Sequence, residues 1–242
     1  MDIILVNLLT LLASVLVGYL LGSIPNGVII GKIFFGKDPR DFYSHNSGGT
    51  NSGRVLGKAM GIVVTILDML KAITALFSMW AFLQFAGLES YYLWGSYDSR
   101  PIFYYLCALF AVIGHCYPLY IHFKGGKAVA STLGINGSIS LILLAADLTF
   151  FLFLLKKKIV SLSSICTSIT VTLTVWVIAI VSICIGFDSN MLSFSFGLIS
   201  FPKIGFELAV TDTLLTILLI YRHKANIVRI KNGTESKVSW IK

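Results

Sequence analysis

The sequence predicts an all-α integral membrane protein with about seven transmembrane helices, folded as a single domain over residues 1–242. Hydrophobic residues make up 56% of the chain and charged residues only 12%, whereas soluble domains are about one-quarter charged. Several apolar runs also approach or exceed the roughly 20 residues with which a helix crosses a bilayer. This composition excludes a disordered chain, a soluble nucleic-acid binder and a disulfide-stapled miniprotein.

Five long apolar segments account for most of the predicted helices, at residues 3–21, 57–86, 102–120, 159–186 and 204–221. A sixth apolar stretch, residues 125–155, contains the sequence Gly134-Ile-Asn-Gly137. Glycine and asparagine are typical turn residues, so we expect two short helices there, broken near Gly134 to Gly137. Broken backbone at membrane depth is tolerated where protein or water covers it.

The positive charges predict the orientation in the membrane. Sixteen of the 19 Lys and Arg residues lie in four clusters, at residues 32–58, 124–127, 156–158 and 222–242. Because basic loops favour the cytoplasmic side, the four clusters should share that side. Residues 125–155 must then leave and return on one face, which places the N-terminus outside and the C-terminus in the cytoplasm.

The first predicted cytoplasmic loop, residues 35–58, is rich in Gly, Ser, Thr and Asn and also carries Arg54. Backbone N–H groups at its glycines could form an anion-binding nest beside the next helix, and Arg54 could clamp a phosphate at two points. The alternative is a flexible polar loop that is basic only for reasons of topology.

Two further polar segments have the same character. Residues 123–128, Phe-Lys-Gly-Gly-Lys-Ala, place glycines beside Lys124 and Lys127 at the start of a helix, which suits a phosphate, although a basic turn is also common there. The tail carries His223 and Asn226, which share a face if the last helix continues. The alternative for the tail is a polybasic segment that contacts anionic lipid.

Several kinds of catalysis lack their usual residues. The chain has 11 acidic residues, and no pair of carboxylates recurs at metal-ligand spacing in its loops, so we expect no metal and no two-metal phosphoryl chemistry. No histidine is followed five positions later by aspartate, and no Gly-x-Ser-x-Gly elbow occurs. The polar loops therefore look like anion binders without a protein nucleophile or general base.

Together, these segments resemble the bacterial acyl-phosphate:glycerol-3-phosphate acyltransferase family, PlsY, over nearly the whole chain. The resemblance rests on spaced matches in the same order: Gly22 to Gly27, Ser44 to Asn51 with Arg54, Asp68 with Lys71, Gly114-His115 with residues 123–127, and Arg222-His223 with Asn226, Arg229, Gly233 and Glu235. The chain differs at His45, Gly49 and Ala128, where the family more often has Gly, Ala and Gly.

The resemblance implies transfer of a fatty acyl group from acyl phosphate to the 1-hydroxyl of glycerol 3-phosphate, giving lysophosphatidic acid for phospholipid biosynthesis. It implies no cofactor, a location in the bacterial inner membrane with active-site loops on the cytoplasmic side, and an acyl-phosphate-producing enzyme upstream. In this family the substrate's own phosphate is held to help deprotonate the attacking hydroxyl, which agrees with the missing base.

The resemblance also implies site residues by position. The expected catalytic residues are Ser44, Arg54, Lys127, His223 and Asn226, and the expected substrate-binding residues are Asn46, Gly48, Thr50, Asn51, Lys124, Gly125, Gly126, Ser161 and Glu235. Arg54 and one of the two lysines would hold phosphates, and Thr50 and Asn51 would shape the surroundings of the acyl carbonyl.

Two other classes of function remain open from the sequence. Broken helices with basic, glycine-rich loops also occur in transporters, so a carrier for a phosphorylated solute is the main alternative. A non-catalytic protein that binds lipid through its polybasic tail is the other. Production of lysophosphatidate by the purified protein distinguishes the enzyme from both.

Overall fold

The computed structural model describes residues 2–88, 92–94, 97–194 and 202–238. The chain divides into two compact units, Met1–Ile135 and Asn136–Lys242. Over the described ranges, four helical segments are long and apolar enough to cross a membrane: Ile3–Phe35, Lys58–Phe85, Arg100–Ile121 and Val160–Ile185. They overlap the first four long segments that hydropathy predicts, although the first extends to Phe35, beyond the predicted end at residue 21.

The described residues of the first unit form five complete helices and the start of a sixth. They are α1 (Ile3–Gly22), α2 (Asn26–Phe35), α3 (Gly49–Leu56), α4 (Lys58–Phe85), α5 (Arg100–Cys116) and α6 (Val129–Ile139), with 3₁₀ turns at Pro39–Asp41 and Leu119–Ile121. Two short strands, β1 (Leu93–Trp94) and β2 (Tyr97–Asp98), pair antiparallel. This small ladder is a departure from a purely helical chain.

Helices α1 and α5 pack with their backbones in direct contact. A Cβ atom on Gly18 would lie 2.1 Å from the carbonyl oxygen of Cys107, and one on Gly22 would lie 1.9 Å from that of Ala111. Small residues are common where membrane helices approach closely, because association there depends on van der Waals packing and interhelical hydrogen bonds. The two glycines therefore fix how these helices meet.

The second unit continues from α6 through α7 (Leu141–Asp147), α8 (Thr149–Lys157), α9 (Val160–Ile185), α10 (Phe206–Arg222) and α11 (Lys224–Lys231). Hydroxyl groups join α9 to α10: Thr216 lies 2.6 Å from Ser168 and 2.8 Å from Thr172, oxygen to oxygen. Helix α10 has 17 residues and covers most of the expected segment 204–221.

The break expected near Gly134 to Gly137 is wrong in position. Helix α6 continues through both glycines to Ile139, and the chain breaks at Ser140 and again near Leu148, so three short helices replace the expected two. Ser140 is extended and its hydroxyl accepts a hydrogen bond from the N–H of Ile142, which starts α7. Gly134 serves packing instead, since a Cβ there would lie 2.9 Å from the Cα of Met69.

Candidate active site

Asn51 organises the first polar loop of the first unit. Its side-chain amide donates hydrogen bonds to the carbonyl oxygens of Pro39 (2.7 Å), Asn46 (2.9 Å) and Phe42 (3.2 Å). Its side-chain oxygen accepts from the hydroxyl and the N–H of Ser44, at 3.0 and 3.2 Å. The side chain is only 1% exposed, and these contacts occupy its polar atoms. Asn51 therefore holds the loop, and any effect on substrate passes through the loop's shape.

The first and second polar loops are bonded to each other. The amide of Asn46 donates to the carbonyl oxygen of Gly125 at 3.2 Å, and its oxygen accepts from the N–H of Gly48 at 2.8 Å. The guanidinium of Arg40 donates to the carbonyl oxygen of Ile121 at 2.9 Å. The two segments that the sequence singles out separately are thus brought together. The side chain of Asn46 fixes the backbone at Gly48 and Gly125.

The start of α3 presents unpaired donors. No side chain caps this helix, and within the described ranges the N–H groups of Gly49 and Thr50 have no hydrogen-bond acceptor. Thr50 and Arg54, one helical turn apart, are both exposed, and Arg54 makes no ion pair with any described residue. A helix N-terminus favours anions, so this surface can receive a phosphate or an oxyanion.

The second polar loop rests on His115 of α5. The N–H of Gly126 donates to the carbonyl oxygen of His115 at 2.9 Å. A Cβ on Gly126 would lie 1.8 Å from Nε2 of the imidazole, and one on Gly125 would lie 2.1 Å from the His115 carbonyl oxygen. Lys124 is exposed and Lys127 is half-buried, so Lys124 has the freer side chain.

Replacing Gly126 with alanine is expected to strain this contact. Overpacking of a buried site typically costs about 1–3 kcal/mol, and here the new methyl group would meet the imidazole ring. Because His115→Ala also removes other contacts of the imidazole, the test is a double-mutant cycle: Gly126→Ala/His115→Ala should lose less stability than the sum of the two single variants. Unfolding temperatures in detergent measure all three variants, and strictly additive losses would contradict this contact.

His115 also belongs to a buried ionic network within the first unit. Asp68 accepts a hydrogen bond from the side-chain amide of Asn26 (3.0 Å), and its carboxylate lies 3.0 Å from the ammonium group of Lys71. Its carboxylate is 3.6 Å from Nδ1 of His115. Lys71 also donates to the carbonyl oxygen of Ile24 at 2.8 Å. Asp68 and Lys71 thus form a buried ion pair, and its extension to His115 connects it to the second polar loop.

Glu235 joins three parts of the second unit. Its carboxylate accepts hydrogen bonds from the hydroxyl of Ser161 (2.7 Å), the side-chain amide of Asn226 (2.6 Å) and the guanidinium of Arg229 (2.6 Å). Burial opposes ionisation, but these hydrogen bonds outweigh it and bring the pKa of Glu235 below its ordinary value. Ser161 and Asn226, both predicted site residues, are thereby held on one carboxylate.

His223 lies between two helices and not within one. Helix α10 ends at Arg222 and α11 begins at Lys224. The prediction that His223 and Asn226 share a face assumed one continuous helix, and the helix is interrupted at His223. Both side chains are nevertheless buried, and Nδ1 of His223 lies 2.8 Å from the carbonyl oxygen of Leu219.

The contribution of Glu235 to stability is expected to depend on pH. Because its pKa is lowered in the folded protein, the stabilisation is complete above the unfolded value of about 4.3 and disappears as the pH falls through the folded value. Wild type should therefore exceed Glu235→Gln in unfolding temperature at neutral pH, and the difference should vanish in strong acid. An equal difference at all pH values would rule out this role.

Comparison with known proteins identifies the family. A family model described as glycerol-3-phosphate acyltransferase matches residues 12–233. The chain belongs to the glycerol-3-phosphate acyltransferase family. It is an integral membrane acyltransferase of mostly helical structure, as predicted from the sequence.

Similar proteins include "Glycerol-3-phosphate acyltransferase" from Staphylococcus haemolyticus, 38% identical over 96% of this chain and 99% of that protein. The protein of the same name from Staphylococcus aureus strain Newman is 36% identical over the same shares. A crystal structure of PlsY in its glycerol 3-phosphate form superposes with a TM-score of 0.72 at 32% identity, covering 94% of this chain and 95% of that one. Its lysophosphatidic acid form gives 0.70 at 30% identity and the same coverage.

Two of the three positions for which the resemblance led us to expect another residue have positive φ. His45 has a φ of 52° and Ala128 a φ of 70°, values that glycine adopts without a steric penalty. At the third, Gly49, a Cβ would lie 2.0 Å from the hydroxyl oxygen of Thr65. Thr65 therefore occupies the space that an alanine would need.

Replacing Ala128 with glycine is expected to stabilise the protein. Left-handed backbone costs a residue with a Cβ about 1–2 kcal/mol, and glycine avoids this strain in the folded protein. Glycine also has more conformational freedom in the unfolded chain, which offsets part of that benefit. The free energy of unfolding should therefore rise by roughly 0.5–1 kcal/mol. Ala130→Gly, within α6, is the matched control and should lower stability by about 1 kcal/mol. Unfolding temperatures that fall equally for both variants would contradict the strain at Ala128.

Sequence reasoning left His115 and Asn26 outside the predicted site. Both lie in segments that match the family, but their relation to Asp68 depends on how α2, α4 and α5 pack. The available signal was chemical: Asp68 and Lys71 at membrane depth require further polar partners. The pair Gly125-Gly126 was a second signal of such a contact, because consecutive glycines often mark a close approach of the backbone to another group.

Proposed function

We propose that this member of the family transfers a fatty acyl group from acyl phosphate to the 1-hydroxyl of glycerol 3-phosphate, forming lysophosphatidic acid and inorganic phosphate. The observation that carries the proposal is the start of α3. Two N–H groups and the guanidinium of Arg54, none of them paired with a described residue, offer an anion site there together with Thr50. The solved PlsY structures in glycerol 3-phosphate and lysophosphatidic acid forms support the acceptor and the product.

The proposed reaction needs no covalent intermediate on the protein. The substrate hydroxyl oxygen attacks the acyl carbonyl carbon and forms the new ester bond. The bond between that carbon and the phosphate oxygen breaks, and phosphate leaves with the electron pair. The proton of the hydroxyl passes to a substrate phosphate. Phosphate is already a good leaving group, so positioning and charge stabilisation are the main tasks of the protein.

Each unit contributes one group of residues to the proposal. In the first unit, Arg54 with Lys124 or Lys127 binds phosphate oxygens, Thr50 and the α3 N–H groups bind an oxyanion, and the remaining residues set the loop: Ser44, Asn46, Gly48, Asn51, Gly125 and Gly126. In the second unit, His223 and Asn226 bind the acceptor, while Ser161 and Glu235 hold Asn226 in place.

The proposal includes one acyltransferase domain over residues 1–242, since the family model runs through both units. It also places about seven crossings in the bacterial inner membrane, with the N-terminus outside and the polar loops and C-terminus in the cytoplasm, as the clustered basic residues favour. Single cysteines at Lys127 and Lys157, in a background without the four native cysteines, should react with a membrane-impermeant reagent from the same side. Labelling from opposite sides would overturn this topology.

The decisive experiment supplies purified protein with acyl phosphate and labelled glycerol 3-phosphate. We expect labelled lysophosphatidate without added metal, and none when acyl-CoA replaces acyl phosphate. The same protein in liposomes should not move glycerol 3-phosphate across the bilayer. Flux without product would support a transporter, and product from acyl-CoA alone would assign a different donor.

A further inference from the structure

Three buried polar side chains of the second unit take no part in the proposed anion site. Asn136 lies in the last turn of α6, Asp147 is the last residue of α7, and Asp212 is near the middle of α10. They are 1%, 5% and 1% exposed, respectively. The amide of Asn136 donates to both carboxylate oxygens of Asp212, at 3.1 and 3.2 Å. We call these three residues the acidic triad.

Asp147 approaches the same turn of α6. One of its carboxylate oxygens, Oδ2, lies 3.9 Å from the place that a Cβ on Gly137 would occupy. Gly137 directly follows Asn136, so Asp147 stands beside the residue that binds Asp212.

The triad has more acceptors than donors. Oδ1 of Asn136 and Oδ2 of Asp147 are both buried, and neither has a hydrogen-bond partner among the described residues. Across the described ranges, no Lys, Arg or His side chain forms an ion pair with Asp147 or Asp212. Buried polar groups are ordinarily satisfied, and an ionisable residue at membrane depth usually has a partner or a function.

The surrounding backbone favours positive charge at the same place. Helices α6 and α7 end at or within one turn of the triad, and the C-terminus of a helix carries a partial negative charge. Carboxylate and amide oxygens are the ligands that hard cations prefer. A cation would therefore be favoured by all of the negative groups at this place: two carboxylates, one amide oxygen and two helix C-termini.

We propose that the acidic triad binds a small hard cation through carboxylate oxygens of Asp147 and Asp212 and Oδ1 of Asn136. One divalent ion would neutralise both carboxylates, and one sodium ion would suffice if one of the carboxyl groups is protonated. The ion would join α6, α7 and α10. Its task would be to stabilise the second unit, which makes the proposal independent of the acyl-transfer reaction.

Thermal unfolding of the full chain tests the proposal. Protein in detergent is first stripped with chelator into choline chloride, and its tryptophan fluorescence is followed on heating with added NaCl, KCl, MgCl₂ or CaCl₂ at constant ionic strength. We expect one of these salts to raise the unfolding temperature with a saturable dependence on its concentration. A response to divalent ions alone indicates two ionised carboxylates, and a response to NaCl alone indicates one.

Isosteric variants locate the response. Asp147→Asn and Asp212→Asn should raise the salt concentration for half-maximal stabilisation at least tenfold, while Asp188→Asn, an exposed acid of the same unit, should behave like wild type. Equilibrium binding of ²²Na⁺ and ⁴⁵Ca²⁺ to wild type provides a second measurement if the variants fail to fold. Equal unfolding temperatures in all salts, unchanged responses in both variants, or no saturable binding would each overturn the proposal.

Discussion

Arg54→Ala is expected to lower the rate of acyl transfer by about 10²–10³-fold, the loss that follows removal of one preorganised oxyanion donor. The Arg54 side chain is exposed and pairs with no described residue, so its removal costs little folding energy. Its two-pronged guanidinium binds phosphate oxygens more specifically than an ammonium group does. Arg54→Lys should therefore retain charge but recover only part of the rate.

The matched control is Lys37→Ala, which removes an exposed positive charge from the same polar loop and should leave turnover near wild type. Steady-state rates with acyl phosphate and glycerol 3-phosphate, at equal amounts of membrane-inserted protein, make the comparison. Lys127→Ala and His223→Ala should also lose most activity. Near-normal turnover in the Arg54, Lys127 and His223 variants together would refute the proposed site.

Asp68→Ala is expected to lower the free energy of unfolding by about 3–5 kcal/mol, the usual loss when one partner of a buried ion pair is removed. Lys71 would keep its charge in a position that is only 8% exposed, with a single carbonyl oxygen as partner. Asn26 and His115 would lose the same carboxylate. Because His115 supports Gly126, the damage should extend to the second polar loop.

Heat denaturation in detergent measures this loss. Asp41→Ala, which removes an exposed carboxylate, should change stability by no more than about 0.5 kcal/mol. The double variant Asp68→Leu/Lys71→Met should recover much of the stability, because it leaves no buried charge unpaired. A small effect of Asp68→Ala, or no recovery in the double variant, would show that the network is not under this electrostatic constraint.

Hydropathy predicts the long helices well because lipid imposes one strong rule: a crossing segment must be apolar and must satisfy its own backbone. It fails within residues 125–155, where the three short helices are set by local packing. Gly134 resembles a turn residue but touches Met69, while the unremarkable Ser140 supplies the cap that starts α7. A glycine's two uses, in turns and in close packing, look identical in a single sequence.

For the predicted site, likewise, the sequence shows which segments are polar more readily than it shows what each residue in them does. The sequence places Asn51 and Glu235 near substrate, but the structure commits both side chains to protein groups. Hydrogen-bond partners distant in sequence decide such roles. Arg54 as an anion ligand stays a prediction, and its exposed side chain, which forms no ion pair with any described residue, is compatible with it.

The hydrogen bonds of Asn51 have a thermodynamic consequence for ligand binding. Ordering a flexible loop around a ligand costs conformational entropy at the moment of binding, roughly 1–2 kcal/mol for each residue whose backbone becomes fixed. Here Asn51 ties the backbone at Pro39, Phe42, Ser44 and Asn46 before any anion arrives. The chain loses that entropy during folding, so binding of a phosphate at the start of α3 does not have to include the cost of ordering the loop. The affinity for phosphate can then be higher than that of a flexible loop with the same groups.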